Sequence, residues 1–91
     1  MAISGYNVTS ETSSVLGPIG SGGGEEVRLY LWGTFGSGEI QVEIQMPDGT
    51  WTAFPELLFT SPAAQTVKVF SGANVRLIVI GATDVSYYVT D

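Results

Sequence analysis

The chain contains neither cysteine nor histidine. Without cysteine there is no disulfide framework, no thiolate nucleophile and no cysteine-held zinc. Without histidine the commonest general base and the commonest transition-metal ligand are missing, and an ordinary Ser-His-Asp triad cannot be built. Basic side chains are scarce: Arg28, Lys68 and Arg76 stand against nine acidic residues, for a net charge of −6. Proteins that grip nucleic acid neutralise phosphates with Lys and Arg, so no nucleic-acid partner is expected. No apolar run approaches the roughly 20 residues that span a bilayer, and no membrane partner is expected either. Residues 1–14 lack the basic start and apolar core of a secretory signal. Charged residues make up only 13% of the chain, where about 25% is usual. Such a chain exposes an uncharged polar surface or covers part of itself with partners.

What is present reads as β-structure. Residues 27–54 carry the cleanest pattern. Ile40, Val42, Ile44 and Met46 alternate with Gln41, Glu43 and Gln45, and successive side chains of a strand point to opposite faces. One face is therefore buried and one wet. Before this run, Val27, Leu29 and Leu31 share one face, with Arg28, Tyr30 and Trp32 on the other. The stretch Thr34-Phe35-Gly36-Ser37-Gly38 turns the chain, and Pro47-Asp48-Gly49-Thr50 is a strong turn signal. Residues 27–54 are thus expected to form two successive β-hairpins.

Further strands are expected over 65–71, 75–80 and 85–90, with turns at Gly72-Ala73-Asn74 and Gly81-Ala82-Thr83-Asp84. Pro55-Glu56 is expected to break a strand, leaving a short apolar piece, Leu57-Leu58-Phe59. No helix longer than a turn is expected. Strands recurring about every ten residues indicate one all-β domain, a small antiparallel β-sandwich or jelly-roll-like barrel. The body is expected over 25–91. Residues 1–24 are expected to form an extended, flexible N-terminal arm and Gly-rich loop, with Ile3, Tyr6 and Val8 as its apolar anchors. The arm is expected to add a strand to a sheet edge or to reach a neighbouring subunit, with a frayed terminus as the alternative, and Val15-Leu16 is a candidate short strand. The glycine run of that loop lacks the Gly-Lys-Ser/Thr ending of a phosphate-binding loop.

Four strands carry more apolar residues than one core needs. Tyr30 and Trp32, Ile78 and Ile80, and Phe70 and Tyr88 lie opposite their strands' inward faces. Were these strands in one sheet, its outer side would carry an apolar patch larger than soluble monomers commonly expose. Burying six such side chains contributes on the order of 10 kcal/mol before association costs. These residues are therefore the expected subunit interface of a homo-oligomer; the alternative is coverage of the patch by the chain's own 1–24 and 57–59 segments.

Carboxylates at Glu25, Glu26, Glu39, Glu43, Asp48, Glu56 and Asp84 fall in turns or on polar faces, where solvated surface charge is the default. Asp48-Gly49-Thr50 lacks the alternate acidic ligands of a calcium loop. No catalytic residue, metal site or cofactor is expected, and the chain is read as a non-enzyme. Trp51 is expected to pack against its hairpin, although Trp32, Trp51 and the tyrosines leave a carbohydrate-binding or adhesion module as an alternative.

The phrases Gly33-Thr34-Phe35-Gly36-Ser37-Gly38, Ile40-Gln41-Val42-Glu43-Ile44-Gln45, Asp48-Gly49-Thr50-Trp51 and Gly72-Ala73-Asn74-Val75-Arg76-Leu77 resemble a recurrent pattern in small β-sandwich structural proteins of tailed bacteriophages. The resemblance covers residues 27–90. It implies a capsid decoration or cement protein that forms a homotrimer, binds the major capsid protein, stabilises the assembled shell and has no catalytic residues. It further implies a place on the virion's capsid surface after synthesis in the cytoplasm of the host bacterium. A tail, neck or fibre component of the same particle is the neighbouring alternative. Under this reading Ile3, Tyr6 and Val8 of the arm contact the shell.

Overall fold

The computed structural model describes residues 2–20 and 25–91. Among the described residues eight strands form: β1 (Ala2–Val8), β2 (Glu11–Thr12), β3 (Glu26–Thr34), β4 (Glu39–Gln45), β5 (Trp51–Phe59), β6 (Ala63–Lys68), β7 (Asn74–Ile80) and β8 (Asp84–Thr90). No helix among the described residues is long and apolar enough to cross a membrane.

The strands divide into two antiparallel sheets, ordered β1-β8-β3-β6 and β2-β7-β4-β5. The order follows from a simple operation on the chain. A long ribbon folded back at the β4–β5 turn pairs β4 with β5, β3 with β6, β2 with β7 and β1 with β8, and all four ladders are present. Rolling that ribbon adds two closing ladders, β3 with β8 and β4 with β7. The result is an eight-stranded jelly roll, one way a β protein buries two apolar faces against each other.

The fold-back point is the Pro47–Thr50 turn. The Asp48 carboxylate accepts the Thr50 N–H at 2.9 Å, and this bond holds the carboxyl below its ordinary range. Gly49 sits at φ 94°, a left-handed conformation that L side chains resist. The Gly49 N–H donates to the Met46 carbonyl at 2.8 Å, and the Met46 N–H to the Thr50 carbonyl at 2.7 Å.

The first expected hairpin is not one. β3 and β4 are consecutive and both alternate, yet they lie in opposite sheets. Period-2 alternation reports which face is buried, not which strand is next door. Phe35 of the connecting turn is buried in the core, so the chain arches over the end of the roll there. The expected break at Pro55 is also replaced: β5 runs on to Phe59 with a bulge opposite Val42. Proline is tolerated there because β5 is an edge strand.

The N-terminal segment adds a strand to a sheet edge, one of the arrangements expected for it, and is not the flexible arm also expected. β1 pairs with β8 from Ala2↔Thr90 to Val8↔Val85. Beyond β2, Ser13, Leu16 and Ile19 are buried, and their N–H groups donate to the carbonyls of Leu77, Val75 and Ala73 at 2.8–2.9 Å. These anchors recur every third residue, a spacing that matches neither a strand nor a helix. Residues 2–20 therefore belong to the sandwich, and the core spans the boundary expected at residue 25. Residues 21–24, the rest of the expected Gly-rich loop, lie outside the described residues.

The core is built by the inward residues of both sheets, Val27, Leu29, Leu31, Val85, Tyr87 and Val89 from one and Ile40, Val42, Val75, Leu77 and Val79 from the other. Tyr87 is its largest fully buried side chain. The ring fits because β1 carries Gly5 opposite it; a Cβ at Gly5 would lie 2.5 Å from the ring. Gly5→Ala is expected to destabilise the fold by about 1–3 kcal/mol, the usual cost of overpacking. Leu16→Ala is expected to lose about 2–5 kcal/mol, where a residue of a free arm would lose almost nothing. Urea titrations of both variants check this.

Candidate binding surface

The outer face of the β1-β8-β3-β6 sheet gathers most of the exposed aromatic residues. On β3 the outward residues are Arg28, Tyr30 and Trp32. The ladder sets Arg28 beside Thr90, Tyr30 beside Tyr88 and Trp32 beside Ser86. On the other flank, Tyr30 faces Ala64 and Arg28 faces Thr66 of β6. Tyr6 of β1 reaches over Ser86 to Trp32, with ring centroids 6.1 Å apart at 60°. Tyr30 and Tyr88 form a second pair, 6.3 Å apart at 38°. Both separations lie in the range of favourable aromatic contacts.

The rings remain in contact with water: Tyr6 is 61% exposed, Tyr30 44%, Trp32 42% and Tyr88 40%. Ser86 between them is buried, and its hydroxyl accepts the Asn7 N–H at 3.2 Å. Asn7 takes a left-handed φ of 56° at a bulge in β1. A small residue at Ser86 and the bulge beside it bring the Tyr6 and Trp32 rings together.

Two shallow depressions flank Tyr30. One, of about 400 Å³, is lined by Tyr30, Leu31, Trp32, Pro62, Ala63 and Ala64. The other, of about 170 Å³, is lined by Arg28, Tyr30, Ala64, Gln65 and Thr66. The centre of the face holds no carboxylate. Arg28 is its one cation and has no ion-pair partner among the described residues; Glu26 lies beside Lys68 at the rim.

No protein-family model, no curated protein and no solved structure matches this chain. Its functional reading therefore stands on the surface itself.

The six residues expected to form one interface are divided between surfaces. Tyr30, Trp32 and Tyr88 lie together on the face just described. Ile78 and Ile80 belong to β7 in the other sheet, where Ile78 faces Gln41 and Ile80 faces Glu39. Phe70 lies in the turn after β6, its carbonyl accepting the Ala73 N–H at 3.1 Å. The expected single patch required these strands to share a sheet, and the roll sends β7 to the opposite one. Of the three arm residues, Ile3 is buried and Val8 packs against the core; only Tyr6 is available, and it joins the aromatic face. Sequence reading missed that union because Tyr6 and Trp32 meet only through β8, which lies between their strands. The one signal was the alternation of Ala2, Ser4 and Tyr6 with Ile3 and Gly5.

Several polar side chains of the opposite sheet have structural partners. Arg76 donates from Nε to Glu43 at 2.7 Å and stacks 4.2 Å from the centre of the Trp51 ring. Trp51 is thereby half-covered on the opposite sheet, packed beside its own turn. Gln41 donates to Glu39 at 2.6 Å. No group of His, Cys, Asp or Glu among the described residues is arranged to hold a metal ion.

The Tyr87 hydroxyl donates to the Glu11 carboxylate across the mouth of the roll. Burial, then this bond, pushes the Tyr87 pKa upward. A phenol whose folded pKa is raised keeps its full stabilising contribution below its unfolded value near 10 and loses it as pH climbs toward the folded one. Thermal stability is therefore expected to fall as pH rises above about 10. Tyr87→Phe is expected to flatten that decline, as read by melting curves from pH 8 to 12.

Proposed function

We propose that this protein is a non-catalytic structural component that works by assembly. Copies associate through the aromatic face as a homotrimer and coat a larger protein shell, in the manner of a capsid decoration protein on the major capsid protein of a bacteriophage head. The observation that carries the reading is the face of Tyr6, Tyr30, Trp32 and Tyr88, with Arg28 beside it and no carboxylate at its centre. Tyr, Trp and Arg are the residues that dominate binding energy at protein interfaces. A patch free of carboxylates is also where a chain of net charge −6 meets a second copy with least repulsion. Low charge, the absence of redox-sensitive cysteine and a jelly-roll body agree with a permanent place in a protein coat. Jelly rolls recur in viral capsids and in lectins alike, so the fold alone does not choose between these uses.

Magnitudes indicate how the coat holds. About half of each ring is already covered, so burying the rest of the four contributes on the order of 4 kcal/mol. That is comparable to the lower limit of association costs. Free copies are thus held weakly and in a concentration-dependent way. On a shell, each copy adds contacts with the subunits beneath it and stabilises the assembled state by mass action.

A second reading draws on the same face. Exposed aromatic rings flanked by Arg28, Gln65 and Thr66 also suit a carbohydrate-binding module. The tilts of 60° and 38° within the ring pairs make a poor flat platform for sugar rings, which favours the assembly reading.

Light scattering after size exclusion separates the two. The unaltered chain is expected to reach the mass of three copies at high micromolar concentration. Trp32→Ser is expected to weaken association by about 1–2 kcal/mol, roughly tenfold, and Trp32→Ser with Tyr88→Ser to abolish the three-copy species while leaving the chain folded. An unaltered chain that stays monomeric, and binds glycans in a Trp32-dependent way, would transfer the face to the carbohydrate reading.

A further inference from the structure

A sheet edge presents unpaired N–H and C=O groups, and proteins protect such edges unless something pairs with them. The two sheets have four edges, β1, β6, β2 and β5. Three are protected. β1 is broken by the bulge at Asn7. β2 is two residues long and carries Glu11. β5 holds Pro55 and Glu56 within its bulge. β6 has no bulge and no proline within it, and its one charge, Lys68, stands at its end. Its ladder to β3 runs without a break from Ala63↔Leu31 to Lys68↔Glu26. Its residues are Ala63, Ala64, Gln65, Thr66 and Val67, with a charge only at Lys68.

We infer that β6 is a strand-pairing site whose occupant is β6 of a second copy, joined antiparallel across a two-fold axis. Facing residues of a ladder point to the same side of a sheet, so a symmetric register centres on a residue. Centring on Gln65 would set Lys68 against Pro62, which has no N–H to give. Centring on Thr66 sets Thr66 against Thr66, Gln65 against Val67 and Ala64 against Lys68. No like charges then face each other, and paired threonines are favourable. The edge carries no carboxylate, unlike those of β2 and β5, so it suits the approach of two acidic chains. The small side chain of Ala64 and the depression beside it leave room for the stem of the facing Lys68 to lie toward Tyr30. The joined sheet is eight strands wide and carries both aromatic faces on one side.

This contact is made by backbone at an edge and is separate from the aromatic contact, so the two are tested apart. The Trp32→Ser/Tyr88→Ser chain is the background, with its fold checked by circular dichroism. At hundreds of micromolar its mass is expected to rise from one copy to two, with concentration-dependent protection of alternate amides along residues 63–68 in hydrogen exchange. Adding Thr66→Lys places two cations face to face, and adding Thr66→Glu two anions. Each is expected to be monomeric and to exchange rapidly along β6, whereas an equimolar mixture is expected to recover the two-copy mass. A background chain that stays monomeric with unprotected β6 amides would overturn the inference, as would dimers that persist in both Thr66 variants taken singly.

Discussion

Two closing ladders, β3 with β8 and β4 with β7, set the terms for the rest of the molecule. An open ribbon of these strands would leave its apolar face in water. Rolling brings Val27, Leu29 and Leu31 over Ile40, Val42 and Leu77, at the cost of sending consecutive strands to opposite sheets. Every surface property follows from that division. It sets Tyr30 beside Tyr88, carries Tyr6 to Trp32, removes Ile78 and Ile80 to the far side and leaves β6 at an edge.

Much of the fold was legible in local pattern. The all-β class, the inward residues of β3, β4, β7 and β8, and the Asp48-Gly49 turn all follow from alternation and turn chemistry. What local pattern does not carry is pairing. The run from Val27 to Leu31 and the run from Ile40 to Ile44 look like neighbours in one hairpin, yet they pack across the core. The stretch 13–20 was hidden for another reason. Its buried anchors Ser13, Leu16 and Ile19 follow no strand or helix period, and its backbone is satisfied by β7 rather than by a sequence-local partner.

The candidate surface was legible in part and for the same reason. Tyr30, Trp32 and Tyr88 stand out in sequence as surplus aromatics opposite inward residues. Their union with Tyr6, and their separation from Ile78, Ile80 and Phe70, depend on strand order. The outcome is a smaller and more aromatic face than sequence alone suggests. In the proposed assembly, that area supports weak association between free copies, and firm attachment only when many contacts act together.

The most direct test of the assembly account is the emission of Trp32 as the protein is diluted. Trp51 is held under Arg76 on the opposite sheet, so a Trp51→Phe chain leaves Trp32 as the sole indole reporter. If the aromatic face joins copies, emission is blue-shifted at high micromolar concentration and moves to the red on dilution to nanomolar, in step with the fall in mass. Emission that stays at one wavelength across that range, while the chain remains a single copy, would contradict the account.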